Sequence, residues 1–246
     1  MRTIGIIQAR MTSTRLPGKI LMEVLGKPLL QYELERVRKI KSLDRIVVAT
    51  TMNASDDPVA DFCETLGQPF FRGSEMDVLS RFYETAAGYG ADAVVRFTAD
   101  CPLIDPDISE RAVRHYLDNK DNLDYCAVDV KETPRPFPRG TDTEAFSMRA
   151  LAEACREAVS PSEREHVTLF IYNRLERYRA VWLPAERDLS GYRLTVDTPE
   201  DFELIRAVIE RLYPINQDFR LKDVIELLDS NPDLSLLNAT VKQKTE

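Results

Sequence analysis

One short stretch concentrates groups that bind anions: Ala9-Arg10-Met11-Thr12-Ser13-Thr14-Arg15-Leu16-Pro17-Gly18-Lys19. Arg10, Arg15 and Lys19 supply three cations, and Thr12, Ser13 and Thr14 supply hydroxyl donors. Main-chain amides around Ser13 and Gly18 would complete a cradle for a triphosphate of charge about −4. The other reading is a solvated basic loop. Two aspartates stand in similar settings, Asp100 in Thr98-Ala99-Asp100-Cys101-Pro102-Leu103 and Asp197 in Thr195-Val196-Asp197-Thr198-Pro199. Each follows an apolar run and precedes a proline by two residues. Carboxylates so placed hold Mg²⁺ against phosphate oxygens. Each also suits a turn or a helix cap.

Other polar residues carry weaker signals. His166 either meets a substrate or makes a first-turn helix contact. Asp142 and Glu144 either bind a sugar or face solvent. Asp77 and Arg81 are spaced i, i+4 on a helix, which predicts an ion pair between them. Two well-known phosphate loops are excluded. Gly18-Lys19 is followed by Ile20 and Gly26-Lys27 by Pro28, so no Walker loop is present. No strand-to-helix turn carries three spaced glycines.

These residues need elements to position them. Strands are predicted at Thr3–Gln8, Asp44–Thr50, Pro69–Phe71, Ala91–Thr98, Asp124–Val128, Glu144–Ser147, Ala180–Leu183 and Tyr192–Val196. Helices are predicted at Pro28–Lys39, from a cap at Asp57-Pro58 to Gly67, and at Met76–Ala87, Asp107–Leu117 and Met148–Val159. A capping box at Ser162–Glu165 opens another helix through Leu175. A long amphipathic helix follows Asp197–Asp201, and a short one covers Leu221–Leu228. Pro134, Pro136 and Pro138 make Lys131–Arg139 a loop. Strands alternating with helices predict a mostly parallel sheet covered on both faces. The loop 9–19 then leaves the end of the first strand, where open parallel sheets place ligands.

Composition narrows the class. The 246 residues are 43% hydrophobic and 30% charged, with net charge −8. That suits a folded domain and excludes bulk disorder. Residues 1–50 nonetheless hold ten Lys/Arg against four Asp/Glu, which leaves −14 on the remainder. A local basic region on an acidic chain suits a small anionic ligand rather than nucleic acid. No apolar run is long enough to span a membrane. The four cysteines lack metal-ligand spacing and read as free thiols in a cytoplasmic protein.

The segment Ile7–Lys19 resembles the opening of the sugar-acid cytidylyltransferases, which include the acylneuraminate and 3-deoxy-manno-octulosonate enzymes. It is most similar to the spore coat polysaccharide biosynthesis protein F group. Further segments resemble that group in the same order: Arg72–Leu79, Thr98–Asp105, Ser162–Thr168 and Val196–Asp201. The resemblance spans residues 3–212. It implies a single domain over 1–246, an α/β fold like that of nucleotide-diphospho-sugar transferases. A small extending arm (130–175, on the acceptor side) would serve homodimerisation, and 240–246 reads as a frayed tail. It implies triphosphate binding by Arg10, Ser13, Arg15 and Lys19, and Mg²⁺ binding by Asp100 and Asp197. Ala9, Thr98, Asp77 and Arg81 would complete the nucleotide site, with cytosine near 72–81. The middle third departs from the better-known sugar pockets, carrying Pro138-Arg139-Gly140-Thr141-Asp142-Thr143-Glu144 and Glu165-His166-Val167-Thr168 instead.

The implied reaction is Mg²⁺-dependent transfer of CMP from CTP to a sugar, by analogy a sugar acid, for surface polysaccharide biosynthesis. Arg10, Arg15, Lys19 and Asp100 would carry catalysis, with Asp142, Glu144 and His166 on the acceptor side. The alternatives are glycosyl transfer from a nucleotide-sugar, and a non-catalytic nucleotide-binding protein.

Overall fold

Strand β1 (Thr3–Gln8) has no solvent face: Ile4 and Ile6 point to one side, Ile7 to the other, and all three are fully buried. A strand of this kind belongs inside a sheet covered twice. The computed structural model describes residues 1–128 and 136–243. In chain order the other strands are β2 (Glu23–Val24), β3 (Lys27–Pro28), β4 (Arg45–Thr51), β5 (Phe70–Gly73), β6 (Ala93–Thr98), β7 (Tyr125–Ala127), β8 (Glu144–Ser147) and β9 (Ala180–Trp182). The helices are α1 (Leu29–Val37), α2 (Asp57–Thr65), α3 (Val78–Gly88), α4 (Pro106–Asn119), α5 (Met148–Glu157), α6 (Pro161–Glu165), α7 (Leu169–Tyr172), α8 (Pro199–Leu212), α9 (Leu221–Ser230) and α10 (Pro232–Leu236).

Seven strands form one sheet in the order β5-β4-β1-β6-β8-β7-β9. Only the two pairings of β8 are antiparallel. The mostly parallel α/β architecture expected from the alternating pattern is therefore present. On one face, Ile7 and Val95 pack with Leu30 and Leu34 of α1, Val59 and Cys63 of α2 and Val113 of α4. On the other, Ile4, Ile6 and Val94 pack with Leu79 and Phe82 of α3 and Leu151 of α5. A third apolar cluster joins α8 and α9 to the β2–β3 ribbon and α1. Each fully buried Leu, Ile, Val or Phe contributes about 1.5–3 kcal/mol, so these three clusters hold the frame that aligns the strand ends.

Register decides where the loops emerge. Gln8 at the end of β1 pairs with Ala49 of β4 and Thr98 of β6. Gly73 at the end of β5 pairs with Thr51. The loops after β1, β4, β5 and β6 therefore leave one edge together. The helices α8 and α9 bring a late segment back to that edge. Asp105 welds them on: its carboxylate accepts from Asp107 and Ile108 N–H, at 2.9 and 3.2 Å, at the start of α4. It also accepts from Leu221 N–H, at 2.6 Å, at the start of α9.

Several expectations are corrected. Tyr192–Val196 is not a strand; it makes a single bridge, Arg139 to Arg193. Its donors are spent individually, Leu194 N–H on Arg139 O (2.7 Å) and Val196 N–H on Asp100 O (2.9 Å). The helix expected over Ser162–Leu175 is two short ones, α6 and α7. Ser160 rather than Ser162 caps the first, with Pro161 following it, and Val167 at φ +41° separates the two. A β-branched residue in that region ends a helix. Asp57 lies inside α2, and Asp56 takes the cap position without capping. In the tail, Gln243 accepts from Arg193 Nη1 at 2.6 Å, and 244–246 lie outside the described residues. So do 129–135, most of the predicted proline loop. The β2–β3 ribbon, turning at Leu25 and Gly26 with positive φ, carries no alternation long enough to have been read from sequence. All four cysteines are free, three of them buried. No helix among the described residues is long and apolar enough to cross a membrane.

Gly140 shows how tightly the late segment is seated. Its φ is +99°, and a Cβ there would lie 2.5 Å from the Leu194 carbonyl carbon. Backbone cannot yield as a flexible side chain does. Gly140→Ala is therefore expected to destabilise by about 2–3 kcal/mol, read as a lower urea midpoint; an unchanged midpoint contradicts this packing.

Candidate functional site

The loop after β1 is shaped by backbone constraints before any ligand binds. Asp56 accepts from Met11 N–H (2.6 Å) and from the Thr51 hydroxyl, tying the loop to the end of β4. Gly18 sits at φ +73° and donates to Met11 O at 2.9 Å, which closes the loop. A left-handed residue is tolerated there because glycine lacks Cβ. A 3₁₀ turn, Lys19–Leu21, follows and directs Lys19 inward. Thr12 donates to Glu75 (2.7 Å), linking the loop to the segment after β5.

Lys19 is the centre of the arrangement. It is 7% exposed. Its ammonium donates to Asp100 Oδ2 (2.9 Å), Asp197 Oδ1 (2.9 Å) and Val196 O (2.6 Å). Arg15 Nη2 lies 3.0 Å from Asp197 Oδ2. The two aspartates are brought together by main chain: Val196 N–H and the Thr195 hydroxyl both donate to Asp100 O, at 2.9 and 3.2 Å. Burial alone would lower the Lys19 pKa, but the charges and hydrogen bonds of Asp100 and Asp197 reverse that and raise it. Burial likewise favours neutral Asp197, yet Lys19, Arg15 and Arg193 together lower its pKa.

A cleft of about 260 Å³ opens over this cluster. It is lined by Arg10, Ser13, Arg15, Lys19, Thr98, Asp100 and Asp197, with Gln8, Thr14 and Glu165. Arg10 makes no hydrogen bond or ion pair among the described residues and is exposed. An adjoining pocket of about 130 Å³ shares Gln8, Arg10 and Glu165 and adds Ala9, Val78, Arg81, Arg96 and His166. Arg81 is 2% exposed, and burial, reinforced by the positive charge of Arg10, lowers its pKa to about 10. Its Nε has no hydrogen-bond partner.

Most of the residues singled out from sequence thus line one of the two pockets, but Thr12, Asp77, Asp142 and Glu144 line neither. Asp77 and Arg81 do not pair. Asp77 caps α3, accepting from Ser80 N–H (2.9 Å), and pairs with Arg164, while Arg81 donates to Ser74 O. Asp77 turns toward α6, which packs against α3. Glu144 is not available to an acceptor: Arg96, Tyr125 and Thr168 all donate to its carboxylate. Asp142 accepts from Gly140 N–H at 3.2 Å and lines neither pocket.

Residues that sequence reasoning passed over include Gln8, Glu165, Arg193 and Glu33. Glu165 stands within the Ser162–Thr168 segment already noted. Glu33 had a signal, because it falls between Leu30 and Leu34 on the apolar stripe of α1. It is fully buried, its carboxylate oxygens without hydrogen-bond partners. Burial, and after it the charge of Asp100, push its pKa well above the usual carboxylate range.

The donor chemistry suits a hard divalent cation. Two carboxylate oxygens already converge on one positively charged nitrogen. Among the described residues no group of three or more His, Cys, Asp or Glu is disposed to hold a metal. Two carboxylates, with substrate phosphates and water for the remaining positions, is the donor set of Mg²⁺ rather than that of zinc or calcium.

The chain is similar to known proteins along nearly its whole length. The profile of the family described as "Cytidylyltransferase" matches residues 4–226. An uncharacterized protein of Methanocaldococcus jannaschii is 38% identical over all of this chain and 98% of its own length. The spore coat polysaccharide biosynthesis protein SpsF of Bacillus subtilis is 34% identical over 93% of this chain and 94% of its length. A cytidylyltransferase structure from Leptospira borgpetersenii superposes with TM-score 0.90 at 35% identity, covering 99% of this chain and 100% of that one. The structure of CMP:2-keto-3-deoxy-manno-octonic acid synthetase complexed with CTP shares the fold. Its TM-score is 0.65 at 22% identity, over 86% of this chain and 99% of that one.

The ion cluster has a pH signature. Asp197 has a lowered pKa, so its contribution is complete above the ordinary carboxylate value of about 3.9 and disappears as pH falls through the lowered value. Lys19 has a raised pKa, so its contribution is complete below about 10.4 and is lost as pH rises through the raised value. Asp197→Asn is expected to lower stability by about 1–3 kcal/mol at neutral pH. The deficit should shrink as urea unfolding is repeated toward pH 3. A deficit independent of pH across that interval rejects the assignment.

Proposed function

Because the chain belongs to the cytidylyltransferase family, we propose that it transfers CMP from CTP to a sugar acceptor with release of pyrophosphate. The acceptor class we propose is a sugar acid, and the setting the assembly of a surface polysaccharide. The observation that supports this most is the meeting of Lys19, Asp100 and Asp197 beneath Arg10 and Arg15 at the edge of the parallel strands.

The reaction requires an acceptor hydroxyl oxygen, giving up its proton to solvent, to attack the α-phosphorus in line while the bond from that phosphorus to the bridging α,β oxygen breaks. Pyrophosphate leaves with the electron pair of that bond. Arg10, without an ion pair among the described residues, would take the α-phosphate. Arg15 and Lys19 are placed for the departing β- and γ-phosphates. To reach them, both must exchange the Asp197 carboxylate for phosphate oxygens. Asp100 and Asp197 would hold Mg²⁺, which supplies charge neutralisation and orientation of the phosphates. Ala9 and Arg81, on the adjoining pocket, face the base, and His166 the acceptor. Catalysis is then chiefly positioning and electrostatic stabilisation.

A thermal-shift screen of CTP, UTP, ATP and GTP with Mg²⁺ tests the donor without knowledge of the acceptor. CTP at about one hundred times its Kd should add about 2.7 kcal/mol, a rise of several degrees. Equal shifts with all four nucleotides, or none with CTP, would refute the reading. With a panel of sugar acids and pyrophosphate detection, Lys19→Ala and Asp100→Asn should each reduce kcat on the order of 10²–10³-fold.

A further inference from the structure

Asp197 is gripped from behind by a guanidinium that takes no part in the chemistry above. Arg193 precedes it by four residues and has a side chain only 10% exposed. Its Nη2 donates to Asp197 Oδ2 (2.7 Å) and to Asp201 Oδ2 (3.1 Å), and its Nε donates to Asp201 Oδ1 (2.9 Å). Asp201 is fully buried and also accepts the main-chain N–H of Asp197 (3.0 Å) and of Thr198 (3.2 Å). One carboxylate therefore fixes the backbone of Asp197 directly and its side chain through Arg193. The back of this clasp is closed by Asn238, whose Nδ2 donates to Asp201 Oδ1 (2.9 Å) and to Arg193 O (3.0 Å).

The two oxygens of Asp197 consequently differ. Oδ2 is held by Arg193, which is itself immobilised by Asp201 and stays when Arg15, 3.0 Å from the same oxygen, turns to phosphate. Among the described residues Oδ1 is held by Lys19 alone, the residue that must change partners when phosphate arrives. We propose that Arg193 is a positioning residue: its fork locks the Asp197 carboxylate so that Oδ1 is presented to a divalent cation on the Lys19 side. This rests on reading Asp197 as a metal carboxylate. Outer hydrogen bonds to a ligating carboxylate commonly set metal affinity or activity by 10–100-fold. Lysine at 193 would keep the charge but not the two-point fork.

The test titrates Mn²⁺ into wild type, Arg193→Lys, Arg193→Gln and Asp197→Asn, each saturated with CTP in the absence of acceptor, following water proton relaxation against a protein-free CTP control. Pyrophosphate release is then measured against Mg²⁺ and against CTP. Arg193→Lys is expected to weaken Mn²⁺ binding at least about tenfold. Its half-saturating Mg²⁺ should rise and its kcat fall, with KM for CTP within about threefold of wild type. Arg193→Lys retains a cation beside Asp201, so its result stands even if Arg193→Gln fails to fold. Arg193→Lys binding Mn²⁺ within twofold of wild type, while Asp197→Asn has lost it, overturns the positioning role alone. Mn²⁺ uptake by Asp197→Asn equal to wild type, or none by wild type, overturns the metal reading and this proposal with it.

Discussion

Two carboxylates cannot share a partly buried edge without a cation between them, and in this fold the cation is Lys19. Asp100 stands at the end of β6, Asp197 at the threshold of α8, and each lies 2.9 Å from the same ammonium. Removing water from that lysine disfavours its charge, and the two aspartates overcome the penalty. Much of the late chain serves to maintain this meeting. Val196 and Thr195 bind the carbonyl of Asp100, and Gly140 permits a backbone approach that no side chain would allow. Asp105 fastens α9 to α4.

The cluster is a poor stabiliser by design. A buried ion pair roughly offsets its own desolvation and is often no better than apolar packing of equal volume. Here apolar packing would be easy to supply, since Ile20 is buried next in the chain and Leu103 nearby. Retaining charges instead fits a site whose internal partners can be exchanged for those of a ligand. Glu33 sharpens the point. Placed behind Asp100 in an apolar stripe, it has its pKa raised by burial and by the charge of Asp100.

The frame and the cation loop were legible because both are local. Strand β1 announces itself by Ile4, Ile6 and Ile7, and the loop by three cations within ten residues. The capping of α8 was legible too, although Thr198 is the cap and Asp201 its reciprocal partner. What sequence could not show is which polar residues consume one another. Arg96 and Glu144 cancel across the β6–β8 ladder, and Asp77 is taken by Arg164 from another helix. The i, i+4 rule applied to Asp77 and Arg81 failed because it counts neighbours on one helix only. The 192–196 segment looked like a strand because Tyr192, Leu194 and Val196 alternate with polar residues; it is an extended connection pinned at separate points.

Charge counting changes once the fold is known. The loop alone is strongly positive, which is how a triphosphate site reads from sequence. The folded cleft is different: Arg10, Arg15 and Lys19 face Asp100, Glu165 and Asp197 among its described lining residues. That lining is formally neutral. A bare triphosphate entering it would meet as many like charges as opposite ones, and at separations near 4 Å each such pair matters even at an effective dielectric of about 20. A divalent cation held by Asp100 and Asp197, as proposed, would offset that repulsion and free Lys19 and Arg15 for the phosphates. The geometry therefore favours a nucleotide that arrives with its cation over one that arrives alone, and the local excess of positive charge is better read as exchange partners than as an open anion trap.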